Sequence, residues 1–277
     1  MKKSISRLWL VLLVLGFLAL GSLAQTKMRI LVVNDDGIQS PGLTALVVEL
    51  AKLGEVVVCA PDGNRSGSSH ASESLRKSIS VERRELAGAV EAYAISGMPA
   101  DAARFAIIRL GRERPFDVLV SGINRGSNVG KVAHLSGTVG AAMEGLYHGL
   151  PSLAVSQDAR STNYELAARF TAAFLMKLKE QGFRKDLLYS INVPADRADR
   201  IKGVKATPMG GAYFRVGDFQ PDGSGGFRAR MGINSQVPVG SDTEAYLQGF
   251  ITITPLRFDW TDPKAVQEVS GWALQVP

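Results

Sequence analysis

From Met28 onward, short apolar runs alternate with amphipathic stretches. Met28–Asn34 is an apolar run that stops at a polar turn, and Val56-Val57-Val58-Cys59-Ala60 is a second. Runs this short, rich in β-branched residues and lacking polar alternation, predict strands buried on both faces of a parallel sheet. Between them, Pro41-Gly42 opens an apolar-periodic helix reaching about Leu53. Strand Val118–Ser121, helix Val139–Tyr147, strand Ser152–Ser156, helix Tyr164–Gln181 and strand Leu187–Val193 continue the alternation. Repeated units of this kind predict an α/β fold with a mostly parallel sheet.

Three stretches depart from that rhythm. Residues 75–96 read as an antiparallel excursion, with strands Leu75–Val81 and Val90–Ser96 around polar Glu82–Gly88. Asp101–Leu110 reads as a helix with Arg104 and Arg109 on a polar side. After Pro208, glycines at 210, 211, 217, 223, 225, 226 and 232 punctuate Tyr213, Phe214, Phe219 and Phe227. That texture is too poor in core-forming periodicity for a second domain and predicts an extended hairpin arm over about 208–235. Its apolar residues imply contact with another subunit or packing on the chain's own body. Asp242–Gln248 and Phe250–Pro255 restore a helix and a strand, whereas the tail 257–277 carries Trp260 and Trp272 with little pattern.

The first residues have a different character. Lys2, Lys3 and Arg7 precede an apolar stretch from Leu8 to about Leu20, and Ser22-Leu23-Ala24 offers a small-x-small exit. This predicts a secretory signal peptide over 1–24, cleaved after Ala24, and hence an exported, periplasmic protein. As an uncleaved anchor the run is short of the roughly 20 residues a spanning helix needs. One domain over 25–256, with its arm and tail, accounts for the remainder. The formal charge is +6, and losing Lys2, Lys3 and Arg7 leaves +3. Scattered basic residues at that level argue against binding a nucleic-acid polymer but suit a small anionic substrate. The single cysteine, Cys59, sits in an apolar strand, so disulfides and cysteine-based metal sites are excluded.

The chemistry concentrates where strands end. Asp35 and Asp36 close the first apolar run, with Gly37 after them. Adjacent side chains at a strand's end diverge, so two carboxylates can reach one cation, or one can bind while the other handles a proton. A bare Asp-Asp-Gly is also a good turn. Ser66 and Asn124 each lie a few residues past another buried strand and offer neutral oxygens. Together the four make an oxygen-only set suited to magnesium or manganese. Asn124, Gly126, Ser136, Gly137 and Thr138, glycine-rich and just before a helix start, make a candidate phosphate cradle. The stretch is not a P-loop, and neither Gly-x-Gly-x-x-Gly after the first strand nor Gly-x-Ser-x-Gly occurs. His70 and His134 are candidate proton donors, while His148 in an apolar helix reads as structural. Asn64-Arg65-Ser66 matches a glycosylation sequon that would obstruct the cation, so the match is accidental.

These motifs are recognisable together. Asn34-Asp35-Asp36-Gly37-Ile38, Ala60-Pro61-Asp62-Gly63-Asn64-Arg65-Ser66-Gly67, Ser121-Gly122-Ile123-Asn124-Arg125-Gly126 and Ser136-Gly137-Thr138-Val139-Gly140-Ala141-Ala142-Met143-Glu144-Gly145 resemble the SurE (survival protein) phosphatases. So do Ile191-Asn192-Val193-Pro194 and Ile253-Thr254-Pro255-Leu256. The resemblance implies a metal-dependent phosphatase of nucleoside 5′- and often 3′-monophosphates, that is, a 5′-nucleotidase. It implies one divalent ion per subunit, Mn2+ or Mg2+, on Asp35, Asp36, Ser66 and Asn124. It also implies a Rossmann-like three-layer sandwich and a homodimer or homotetramer with an exchanged C-terminal arm. Members of this family are usually cytoplasmic, so the leader is a departure. Gly240-Ser241-Asp242, where the family more often shows Asp-Thr-Asp, is another.

The expected chemistry is attack of a metal-activated water on phosphorus, with Asp36 orienting or deprotonating it; direct attack by Asp36 is the variant. The alternative from another class is an exported nucleotide- or phosphate-binding protein without turnover. A covalent Asp-x-Asp phosphatase fits the Asp-Asp-Gly spacing poorly.

Overall fold

A computed structural model describes residues 27–276, so the leader-like segment and its cleavage site lie outside the described residues. Its centre is one sheet of nine strands: β1 (Met28–Val33), β2 (Gly54–Pro61), β3 (Val81–Arg84), β4 (Glu91–Ile95), β5 (Val118–Arg125), β6 (Ser152–Gln157), β7 (Leu188–Val193), β8 (Val204–Ala206) and β11 (Ile251–Leu256). In space the order is β3-β4-β2-β1-β5-β6-β7-β11-β8. Every pair from β4 across to β7 is parallel, and only β3 on β4 and β11 on β7 run antiparallel.

Successive side chains of a strand point to opposite faces, and here both faces are apolar. Ile30, Val32, Val56, Val58 and Val120 pack against α1 (Pro41–Leu50) and α4 (Glu165–Gln181) through Leu43, Leu46, Ala168 and Leu175. Leu31, Val33, Val57, Cys59 and Leu119 face α2 (Pro99–Phe105) and α3 (Gly137–Tyr147) through Ala102, Ala103, Ala141 and Ala142. The result is the three-layer, Rossmann-like arrangement expected. Cys59 is fully buried, which pushes its thiol pKa upward and leaves it a packing residue. Among the described residues no helix is long and apolar enough to cross a membrane.

The strand order positions the site. The chain moves from β1 outward through β2 to β4, then returns to the other side of β1 as β5 and continues to β6 and β7. Such a reversal opens a crevice at the carboxyl ends of the two strands flanking it. Here those strands are β1, which delivers Asp35 and Asp36, and β5, which contains Asn124.

Two expectations change. The excursion's outer strand is Val81–Arg84, which shares only Val81 with the expected strand and otherwise lies in the stretch read as polar connection, and Leu75 is exposed in a loop. An edge strand with no covering layer tolerates Glu82, Arg83 and Arg84, so hydropathy misplaced it. Arg104 is not on a polar side. Its Nε donates to the buried carboxylate of Glu144 (2.7 Å), and the helix runs on into a π-helical turn, Ala106–Leu110.

Past β8 the chain forms the expected arm, an antiparallel hairpin of β9 (Phe214–Pro221) and β10 (Phe227–Ile233). Its base is tied down by Tyr213 packed with Tyr246 and Val129. Asp242, at the start of α5 (Asp242–Leu247), is buried and accepts from the amides of Gly130 (2.8 Å) and Gly210 (2.6 Å). That gives the aspartate of the departing Gly-Ser-Asp motif a structural role. The tail, read as patternless, contains α6 (Pro263–Ser270), capped by Asp262 accepting from the Lys264 and Ala265 amides.

Candidate active site

The turn after β1 is built by Asn34. Its buried amide donates to the Gly37 carbonyl (2.9 Å) and the Ser40 hydroxyl (2.8 Å), while its Oδ1 accepts from the Gly37 amide (3.2 Å). Ser40 caps α1 in turn. Gly37 has φ +99°, and a Cβ there would lie 3.0 Å from the Gly63 carbonyl carbon, so only glycine allows the two loops this approach. The sequence reading named the acids but not Asn34, although an Asn three residues before a glycine is a turn signal.

Three other segments close on the two acids. The Arg65 amide donates to the Asp35 carbonyl at 2.7 Å, bringing in the loop of Ser66. The Arg125 amide donates to Asp36 Oδ2 at 2.8 Å, bringing in Asn124. The Thr138 hydroxyl donates to Asp35 Oδ1 at 2.6 Å, joining the first turn of α3. Asn64, read only as part of a sequon, bridges: its amide donates to Asp36 Oδ1 (3.2 Å) while its Oδ1 accepts from the Ser66 amide (3.0 Å). Gly137 presses on Asp35, since a Cβ there would be 2.8 Å from the Asp35 Cβ.

The electrostatics are unusual. Burial raises the Asp35 pKa to about 6; the Thr138 hydroxyl opposes the rise and the neighbouring Asp36 charge adds to it. Asp36 is also raised, by burial first, with the Arg125 amide and charge opposing. The Arg125 guanidinium turns away to the Ala159 carbonyl (3.2 Å). Two adjacent, desolvated carboxylates without an ion-pair partner among the described residues invite a cation.

The donor set suits a hard divalent ion. Asp35 Oδ1 is engaged by Thr138, which leaves Oδ2; Asn124 turns its amide nitrogen to the Gly126 carbonyl (2.7 Å), which leaves its Oδ1. The hydroxyl of Ser68, buried and without a partner, lies against Gly137, where a Cβ would approach it to 2.5 Å. Sequence reading missed Ser68, since a serine among Ser66-Gly67-Ser68-Ser69 carries no signal of its own.

The residues read as a phosphate cradle divide. Gly126 spends its amide on the Gln157 carbonyl (2.8 Å), and Thr138 spends its hydroxyl on Asp35. Ser136 caps α3 by accepting from the Val139 amide, its own hydroxyl donates to no group among the described residues, and Gly137 follows it. His70 is held by Glu144, its Nε2 2.6 Å from Oε2; His148 also reaches Glu144, at 3.2 Å. His134 stands edge-on to Trp260.

Cavities flank the acids. One of about 530 Å3 has Asp36, Asp62, Asn64 and Arg125 in its wall, with Pro41 and Tyr164 beside them. The other, about 670 Å3, begins at Ser136 and runs under the segment Arg257–Trp260.

Comparison with known proteins agrees with this geometry. The model of the family "Survival protein SurE" matches residues 30–216. The 5′-nucleotidase SurE of Clostridium botulinum (Type A) is 34% identical over 247 residues, covering 87% of this chain and 97% of its own length. That of Syntrophomonas wolfei is 38% identical, covering 87% and 93%. The crystal structure of the SurE protein from Aquifex aeolicus superposes with a TM-score of 0.75 at 31% identity, covering 88% of this chain and 99% of that one.

These matches overturn the periplasmic expectation. It rested on residues 1–24, which lie outside the described residues, while the relatives are matched along nearly their whole length and the family match begins at residue 30. Nothing in these matches supports export, and that expectation is withdrawn. With a family match across most of the chain and relatives matched almost end to end, this protein belongs to the SurE family.

Proposed function

We propose that this chain is a phosphomonoesterase that hydrolyses nucleoside 5′-monophosphates, and 3′-monophosphates as well, to nucleoside and phosphate with one divalent cation. The observation that carries the reading is the buried carboxylate of Asp35 beside the half-buried Asp36, neither with an ion-pair partner among the described residues, at the crevice between β1 and β5, with three polar loops docked on them. The relatives' printed activity, 5′-nucleotidase, supports the same reading.

Asp35, Asp36, Ser66 and Asn124 would hold the cation, Mn2+ or Mg2+, through oxygen. When bound, it would neutralise charge on the phosphoryl oxygens and acidify a water. The Ser136 hydroxyl and the start of α3 at Gly137 hold the remaining phosphoryl oxygens, where a helix N-terminus favours negative charge. Thr138 keeps Asp35 in place. Asp36, its basicity raised by burial, takes the proton of the attacking water at a carboxylate oxygen. As the water oxygen bonds to phosphorus, the phosphorus–oxygen bond to the nucleoside breaks, and the leaving oxygen takes up the proton that Asp36 received.

The catalytic unit on this reading is 25–256, with the arm covered by a second copy in a homodimer or homotetramer. Phosphate release from AMP by the full chain, with Mn2+ or Mg2+ and after chelation, tests the activity. Cation-dependent release that chelation abolishes is expected. Tight binding of AMP without release would instead make the protein a nucleotide-binding protein.

A further inference from the structure

Apart from Ser136, the residues lining the larger cavity have no part in the chemistry just described. It opens at Ser136, one residue from the Gly137 that presses on Asp35. From there it follows one stripe of α3, Ser136, Val139, Gly140 and Met143, the spacing of a single helix face. Met209 adds to that wall, and Phe258 and Trp260 close the far side. Its volume of about 670 Å3 falls in the ordinary range for small-molecule sites.

The aromatic wall is held from below. Phe258 meets the His70 ring edge-on at 6.2 Å between centroids and packs on Tyr147 at 5.6 Å. Trp260 meets His134 edge-on at 5.8 Å. The two ring planes stand at 88°, and Trp260 remains 78% exposed, so much of its indole is open. The cavity on the opposite flank, walled by Asp36 and Asp62, offers one aromatic ring, that of Tyr164, which is itself buried in the core.

We propose that this cavity is the nucleobase subsite, in which the base of a nucleoside monophosphate lies against Trp260 between α3 and the segment Arg257–Trp260 while its phosphate reaches Ser136. The proposal rests on the phosphomonoesterase reading above. An aromatic and thioether wall engages the π-face that every base shares, so adenine and cytosine nucleotides are turned over with similar efficiency. A phosphate ester without a base loses the contact.

The experiment compares kcat/KM for AMP and ribose 5-phosphate in the full-length wild type, Trp260→Ala and Trp260→Phe. Wild type is expected to prefer AMP by about tenfold, the size of one base–aromatic stacking contact. Trp260→Ala should collapse that ratio and Trp260→Phe should restore it. A wild type that does not distinguish the esters, or a ratio unchanged in Trp260→Ala, overturns the proposal. A second readout needs neither cation nor turnover. Adenosine should quench tryptophan fluorescence in wild type and in Trp272→Phe, but not in Trp260→Ala; no quenching in wild type overturns the subsite. If no ester is hydrolysed, the phosphomonoesterase reading falls, and the adenosine titration alone decides the subsite.

Discussion

At the scale of single residues, the site trades stability for chemistry at Asp35. A folded-state pKa raised to about 6 means that the ionised carboxyl opposes folding at pH 7. The cation-free protein should therefore gain stability as pH falls through 6. Asp35→Asn keeps an oxygen for the Thr138 hydroxyl and removes the buried charge. It is expected to stabilise the chelated protein by about 1–3 kcal/mol at pH 7 while abolishing phosphate release. Urea unfolding in the presence of chelator, beside an AMP assay, checks both; full activity in the variant would remove Asp35 from the cation site. This residue was legible in the sequence because acids ending a buried strand are rare and costly. Asn34, bonded to Gly37 and Ser40 in its own turn, carried a local signal; Asn64 and Ser68 were not legible, because their roles arise from which loop each meets, and those partners lie up to 69 residues away in the case of Ser68 and Gly137.

At the scale of elements, α3 is fastened to its neighbours by one buried acid. Glu144 is 1% exposed and joins Arg104 of α2, His70 of the Ser66 loop and its own helix neighbour His148. Burial alone would raise its pKa, but the hydrogen bonds from His70 and Arg104 and their charges win, and it lies below its usual 4.5. A depressed carboxyl contributes stability above its unfolded value and loses it as pH falls through the folded one. Glu144→Ala should cost about 1.5–3 kcal/mol at pH 7, the worth of a charge-assisted hydrogen bond, since Arg104 is partly exposed and keeps Asp101 as a partner. The gap to wild type should narrow in unfolding experiments below pH 4; a gap independent of pH would mean that packing, not charge, holds α3. The sequence placed α2 and α3 well because their alanine-rich faces are local patterns. It put Arg104 on the wrong side, since only the docking of α2 against α3 supplies a carboxylate to bury it.

At the scale of the whole molecule, the arm stands out. Register pairs Phe214 with Ile233, Val216 with Met231 and Phe219 with Ala229, so one face of the hairpin is apolar. Those large side chains are exposed, Phe227 at 69%. A lone two-stranded hairpin is marginal in water, and a bare apolar face of this kind is normally covered. Placing aspartate at both Phe219 and Phe227 should convert an oligomer to a monomer in light scattering, with the sheet's far-ultraviolet signal retained. An unaltered mass would free the arm from that role.

The sequence by itself determined the alternation of buried strands and helices, and with it the α/β class and the mostly parallel sheet, because those patterns repeat within a few residues. It also marked Asp35, Asp36, Ser66 and Asn124 as the residues to watch, through motifs carried on separate strand ends. The tertiary structure alone decided that these ends meet. The return of the chain from β4 to the far side of β1 opens the crevice, and hydrogen bonds across 28 to 103 residues close the loops on the acids. It alone also set an aromatic wall from the unpatterned tail beside Ser136. Local pattern encodes what each segment prefers to be, whereas a site is a relation between segments, fixed only when burial and pairing bring them together.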